Sequence, residues 1–189
     1  DPTFYPDDEA DHVVHLTTTN KMADGRNQYE LKKLESKAWT LMAQSSGELG
    51  TRKMPSERTL NVKEGARIMF TTNDPTKRWV NGTLGAIKRI RNIGLAKLPT
   101  LFVELENGSE VEVQHHKWEV FEYAFDGKQF EENVVGSFSQ YPIALAWAVT
   151  VHKAQGKTFD KVLVDMGWGA FAHGQLYVAL SRCTNLKGL

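Results

Sequence analysis

Residues 150–158 read Thr-Val-His-Lys-Ala-Gln-Gly-Lys-Thr and follow directly on the apolar stretch ALAWAVTV. Hydroxyl, imidazole, ammonium and carboxamide groups crowded behind an apolar segment suit phosphate oxygens on one side and a nucleotide on the other. A polar helix end is the plain structural alternative. Gly156-Lys157-Thr158 also repeats the last three letters of a phosphate-binding P-loop, but the glycine that such a loop needs five positions upstream is Val151. A β-branched residue resists the dihedrals that curl backbone N–H groups around phosphates. The segment also leads into KVLVDM, which reads as a strand, where a P-loop opens a helix. The P-loop reading fails.

A second stretch, Gln175-Leu-Tyr-Val-Ala-Leu-Ser-Arg182, reads as a helix with Leu176, Ala179 and Leu180 turned inward. Arg182 falls near its carboxyl end, where the helix dipole favours a cation on structural grounds alone. A planar, permanently charged fork is equally what a phosphoryl transition state requires. A third stretch, Asn73 to Gly85, gathers Lys77, Arg78 and Trp79, with Trp118 further on. Such tryptophans either stack bases of single-stranded nucleic acid or fill a core; Gly82 and Gly85 read as turn and bulge glycines. His115 and His116 are adjacent, so on a strand they face opposite ways and cannot chelate one metal together. No carboxylate pair, Ser-His-Asp order or metal-ligand spacing stands out, and nothing marks Cys183 as a nucleophile.

These groups must be positioned by a chain of 189 residues with 41% hydrophobic and 24% charged side chains, ordinary for a globular protein. Lys plus Arg and Asp plus Glu both number 23, which argues against a generally basic nucleic-acid coat but not against a local basic groove. A single cysteine excludes an internal disulfide framework and suggests the reduced cytoplasm. No apolar run approaches membrane-spanning length, so no membrane partner is expected. DPTFYPDDEAD, residues 1–11, reads as an acidic linker that is not signal-like, and the missing initiator methionine suggests a piece of something longer.

HVVHLTTTN reads as a short β-rich run ending in residues that can cap a helix, and the following segment places Met22, Tyr29, Leu31 and Leu34 in a loosely helical pattern weakened by Gly25. Residues 45–59 read as a loop. Beyond them come short apolar alternations broken by Asn81-Gly82, Asn107-Gly108 and Asp126-Gly127, the last two being hairpin signals. Several short strands with tight turns describe a small β-barrel. After Tyr141-Pro142 the α/β texture returns. The resulting expectation is an α/β domain over 12–62 and 140–189, interrupted by an inserted small β-barrel over 63–139.

YPIALAWAVTVHKAQGKTFDKVLVDMG followed by GQLYVALSRCTNLKGL resembles the last two motifs of superfamily 1B DNA helicases, the family of the RecD subunit of exodeoxyribonuclease V and of the Pif-type helicases. HLTTTNKMADGRNQYELKKL is similar to the opening of that family's second motor domain, and GARIMFTTND…VNGTLGAI to its inserted Src-homology-3-like barrel. The resemblance covers residues 12–189 and implies a RecA-like second motor domain, lacking the Walker A and B elements of the first. It implies Arg182 as the arginine finger, and Gln155, Gly156 and Lys157 on the nucleotide side of the cleft. Thr150 and His152, with Thr19 and Asn20 at a helix start, would contact phosphates of the tracked strand. The implied partners are single-stranded DNA, ATP with Mg2+ held by the missing N-terminal motor domain, and further exonuclease subunits. DNA repair or recombination would be the setting, with movement 5′ to 3′. By itself the fragment is expected neither to hydrolyse ATP nor to hold a cofactor tightly. The competing reading is a non-enzymatic module whose barrel binds a nucleic acid or a protein.

Overall fold

The computed structural model describes residues 13–50, 54–93, 98–125, 130–167 and 174–189. In chain order, β1 (Val14–Thr17) and α1 (Asn20–Lys33) are followed by β2 (Ala38–Met42), β3 (Gln44–Gly47), β4 (Thr59–Lys63) and β5 (Arg67–Phe70). Next come β6 (Leu84–Arg91), β7 (Thr100–Leu105), β8 (Glu110–Val113), β9 (His116–Phe125), β10 (Phe130–Gln140) and β11 (Ile143–Leu145). The chain then forms β12 (Ala148–Thr150), β13 (Val162–Asp165), α2 (Gln175–Leu180) and a 3-10 turn at Leu186–Gly188. Contacts divide it into two compact units, one of residues 1–33 with 145–189 and one of residues 34–144. The junctions expected at 62/63 and 139/140 both fall inside the second unit.

The first unit is α/β. Its sheet is parallel throughout, in the order β12-β1-β13. Val14 and Leu16 are fully buried in the central strand, as a parallel sheet demands of its middle member. Thr19 caps α1: its Oγ1 accepts from the Met22 N–H at 3.2 Å, and its carbonyl accepts from Ala23. One face of α1 carries Ala23, Asn27 and Leu31 inward at four-residue spacing. Of the residues in the loosely helical pattern, Tyr29 is 56% exposed, with the Lys33 ammonium over its ring. The apolar stretch ALAWAVTV supplies β12. In α2 only Ala179 of the three expected apolar positions is buried; Leu176 and Leu180 are 48% and 40% exposed, and Gln175 is buried instead. A helix of under two turns has no full 3.6-residue stripe; just beyond its end, Phe159 N–H donates to the Arg182 carbonyl at 2.8 Å.

The second unit is all β. Its five-stranded sheet runs β11-β5-β6-β7-β8, a three-stranded sheet runs β3-β10-β9, and β2 pairs with β4. Among the described residues no sheet closes on itself, so the expected barrel is replaced by open sheets. Ile68, Phe70, Ile87, Ile90, Leu101, Val103, Val113, Tyr141 and Ile143 form its apolar interior, the alternation of β7 and β8 pointing every second residue inward. Residues 45–59, expected as loop, contribute β3, whose exposed polar residues hide the strand signal from any apolar alternation. Asn107-Gly108 does turn β7 into β8, with Gly108 at φ +80. The Asp126-Gly127 turn lies outside the described residues. Gly85 is no bulge glycine: it pairs in register with Ile68 and Leu105, and a Cβ there would stand 2.7 Å from the Glu104 carbonyl. The irregularity falls instead between Ile87 and Arg89.

The third chemical stretch resolves in favour of packing. Trp79 is 6% exposed and stacks on Phe70 with ring centroids 4.3 Å apart, and the Arg78 guanidinium lies over its ring, 4.5 Å from the centroid. Trp118 is half-buried against Phe138. The organiser is buried Asp74, whose carboxylate accepts from the Thr76 and Arg78 backbone N–H groups, the Thr76 hydroxyl and the Arg78 guanidinium. These donors, Arg78 first, hold its carboxyl well below the usual range.

Candidate functional site

All the residues singled out for chemistry at 19–20, 150–157 and 182 lie in the first unit. The parallel register pairs Thr17 with Thr150 on one side and with Asp165 on the other, so the carboxyl ends of β12, β1 and β13 form one edge. Ligands of open α/β sheets gather at such edges. Two turns leave it. In the first, Thr17 Oγ1 donates to the Thr19 carbonyl at 3.2 Å, and the chain enters α1 with Asn20 exposed at its first position. In the second, Val151 N–H donates back to the Thr17 carbonyl at 2.9 Å, so both turns are anchored on the same strand end.

The second turn is built by its own residues. Thr150 is buried, and its Oγ1 accepts from Lys153 N–H at 3.3 Å while its carbonyl accepts from Ala154. One lone pair of this hydroxyl is thus taken by the turn, and its hydrogen is the group that a ligand oxygen would use. His152 and Gln155 are exposed, and Gln155 N–H donates to the His152 carbonyl at 3.2 Å. Gly156 sits at φ +76 with open space where a Cβ would be, so it is the backbone conformation that requires glycine there. Lys157 is half-buried; burial, and secondarily Lys153, hold its ammonium below the ordinary lysine value. A group pushed that way is stabilised by an arriving anion.

Arg182 meets this turn. Its Nη1 donates to the Lys157 carbonyl at 3.2 Å, its Nε to the Val178 carbonyl at 3.0 Å and its Nη2 to Ser181 Oγ at 2.8 Å. The Val178 bond satisfies a carbonyl at the end of α2, so the helix-end reading of this arginine is correct as far as it goes. The Lys157 bond goes further, holding the guanidinium against residues 150–157. Three of the five N–H groups of the fork are engaged among the described residues.

Sequence reasoning missed Asn27. Its Nδ2 donates to the Ala148 carbonyl at 2.8 Å and to the Leu145 carbonyl at 3.4 Å, and its Oδ1 accepts from Ala148 N–H at 2.9 Å. The available signal was a carboxamide at the centre of the Ala23–Leu31 spacing, where an apolar residue belongs.

Residues 145–186 match the family model of the UvrD-like helicase C-terminal domain. A Campylobacter jejuni protein, ATP-dependent DNA helicase Pif1, is 34% identical over 187 residues, covering 93% of this chain and 41% of that protein. Unliganded Pif1 from Bacteroides sp superposes with a TM-score of 0.83 at 30% identity, over 95% of this chain and 40% of that one. The structure of Bacteroides Pif1 in complex with ADP-AlF3 and single-stranded DNA gives a TM-score of 0.74 at 30% identity, over 93% of this chain and 39% of that one. The chain therefore spans about two fifths of the length of these relatives. The matched segment 145–186 contains both the 150–157 turn and Arg182, and over nearly its whole length the chain is homologous to the C-terminal region of Pif1 DNA helicases.

Proposed function

We propose that this chain is the second, RecA-like motor part of an ATP-dependent DNA helicase that tracks single-stranded DNA. The observation that carries the reading is the bond from Arg182 to the Lys157 carbonyl, which makes the 150–157 turn and the arginine one assembly. Gln155, Gly156 and Lys157 would face the nucleotide, and Arg182 would reach its terminal phosphate as an arginine finger. Thr150 and His152 on one turn, and Thr19 and Asn20 on the other, would grip phosphates without reading sequence. The similarity to a Pif1 captured with ADP-AlF3 and single-stranded DNA supports both ligand classes.

The 189 residues contain no GxxxxGK[ST] sequence, so in this reading the P-loop and the carboxylates for Mg2+ belong to polypeptide outside them. A divalent cation held there would supply neutralisation of the charge that develops on the phosphates, and no residue of this chain is assigned to hold it. What this chain supplies is a fixed cation at the transition state and an electrostatic hold on the strand. Movement 5′ to 3′ follows from the family resemblance alone. The RecD-like and exodeoxyribonuclease placement has no further support, since the relatives that carry the likeness are Pif1 helicases.

The test is Arg182→Ala in the full-length protein. An arginine finger contributes roughly a thousandfold or more in turnover, so DNA-stimulated ATP hydrolysis should fall by that order while oligonucleotide affinity stays within about threefold, the ~0.6 kcal/mol scale of a minor contact. Hydrolysis that survives the change would remove Arg182 from the reaction and leave the non-enzymatic binding module as the better description.

A further inference from the structure

Among the described residues β12 is the outer strand of the parallel sheet, so there the backbone groups on its far side meet no neighbouring strand. At Ala148 both of these groups are taken by one side chain: Asn27 donates to the carbonyl and accepts from the N–H, reproducing the two bonds a further strand would make. Its second donor reaches the Leu145 carbonyl. The carboxamide is 6% exposed and comes from α1, eight residues after the Thr19 cap. At 1.5 Å per residue that is a rigid rod of about 12 Å between cap and clamp.

Each end of the rod governs one of the two turns at the strand edge. Thr19 and Asn20 stand at its start, and Ala148 lies two residues before Thr150, whose hydroxyl and carbonyl build the other turn. We propose that Asn27 is a positioning residue that fixes the offset between the Thr19–Asn20 helix start and the Thr150–Gly156 turn, so that both engage one polyanionic strand together. This rests on the reading of the two turns as strand contacts. Asn27 itself touches no ligand; it acts through the backbone of Leu145 to Ala148.

The clamp and the strand reading separate experimentally. Asn27→Leu keeps the volume and removes every bond, and it should speed hydrogen exchange at the Ala148, Val151 and Lys153 amides. It should also weaken binding of a single-stranded oligothymidylate about tenfold, the ratio that ~1.4 kcal/mol represents. Asn27→Asp keeps the acceptor but, when ionised, offers no donor to Ala148; once protonated it offers one O–H. Burial raises a carboxyl's pKa, so the affinity deficit of Asn27→Asp relative to the unsubstituted protein should shrink as pH falls from about 8 to about 5. A side chain that merely fills space would show no such recovery. Unchanged exchange in Asn27→Leu, or a deficit in Asn27→Asp that ignores pH, overturns the proposal. If exchange responds as stated while Thr150→Val leaves oligonucleotide affinity untouched, the clamp stands and the strand-contact reading falls instead.

Discussion

The two units of this chain bury polar groups in different places and for different ends. In the first, Thr17, Thr18 and Thr150 are buried at the carboxyl edge of a small parallel sheet, where their hydrogen bonds shape two turns, and Asn27 is buried further along α1 against the start of β12. In the second, Asp74 and Gln140 are buried among loops and strand ends. Asp74 gathers Thr76 and Arg78, and the Gln140 carboxamide donates to the carbonyls of Leu41, Glu57 and Arg58. The second unit spends its polar groups on closing its own loops around an apolar interior. The first spends them on shaping turns that carry exposed side chains such as Asn20, His152 and Gln155.

This contrast can be broken most forcefully at Asp74. Asp74→Ala strands the Arg78 guanidinium and leaves two backbone N–H groups without their acceptor, which should cost about 2–3 kcal/mol in urea unfolding. Oligonucleotide binding at native conditions should not move. A parallel loss of binding would mean the two units do not divide structure from function as described.

Acid should show the same asymmetry less steeply. The folded Asp74 carboxyl sits below its ordinary value of 3.8, so its contribution is fully present above that pH and is lost as pH falls toward the folded value. Unfolding followed by tryptophan fluorescence below about pH 4 should therefore destabilise the protein, and Asp74→Ala should flatten that part of the profile. Equal slopes in the two proteins would reject Asp74 as the group responsible.

The smallest effect is expected at Lys157, with stability and binding moving in opposite directions. The folded ammonium titrates below its ordinary 10.5, so its charge opposes folding at neutral pH and the penalty is relieved as pH rises through the folded value. Lys157→Met should raise stability by about 0.5 kcal/mol, the scale of changes away from a core, and lower affinity for a nucleotide triphosphate in the full-length protein. A variant that loses stability would show that the contacts Lys157 makes within the fold outweigh the cost of its burial.

The sequence by itself determined what is local. Thr19 as a cap, the strands at Val14–Thr17 and Val162–Asp165, and the Asn107-Gly108 turn follow from propensities acting over a few residues. The crowding of hydroxyl, amide and cation types at 150–157 was legible as composition, whereas the bond that brings Arg182 to the Lys157 carbonyl was not. Only tertiary structure decided the rest. Trp79 went to packing because Phe70 lies under it, and the expected barrel gave way to open sheets because closure depends on register between strands far apart in sequence. Asn27 acquired its role from Leu145 and Ala148, more than a hundred residues away. A carboxamide's worth is set by which backbone groups it meets, and no pattern over neighbouring residues encodes a meeting at that separation.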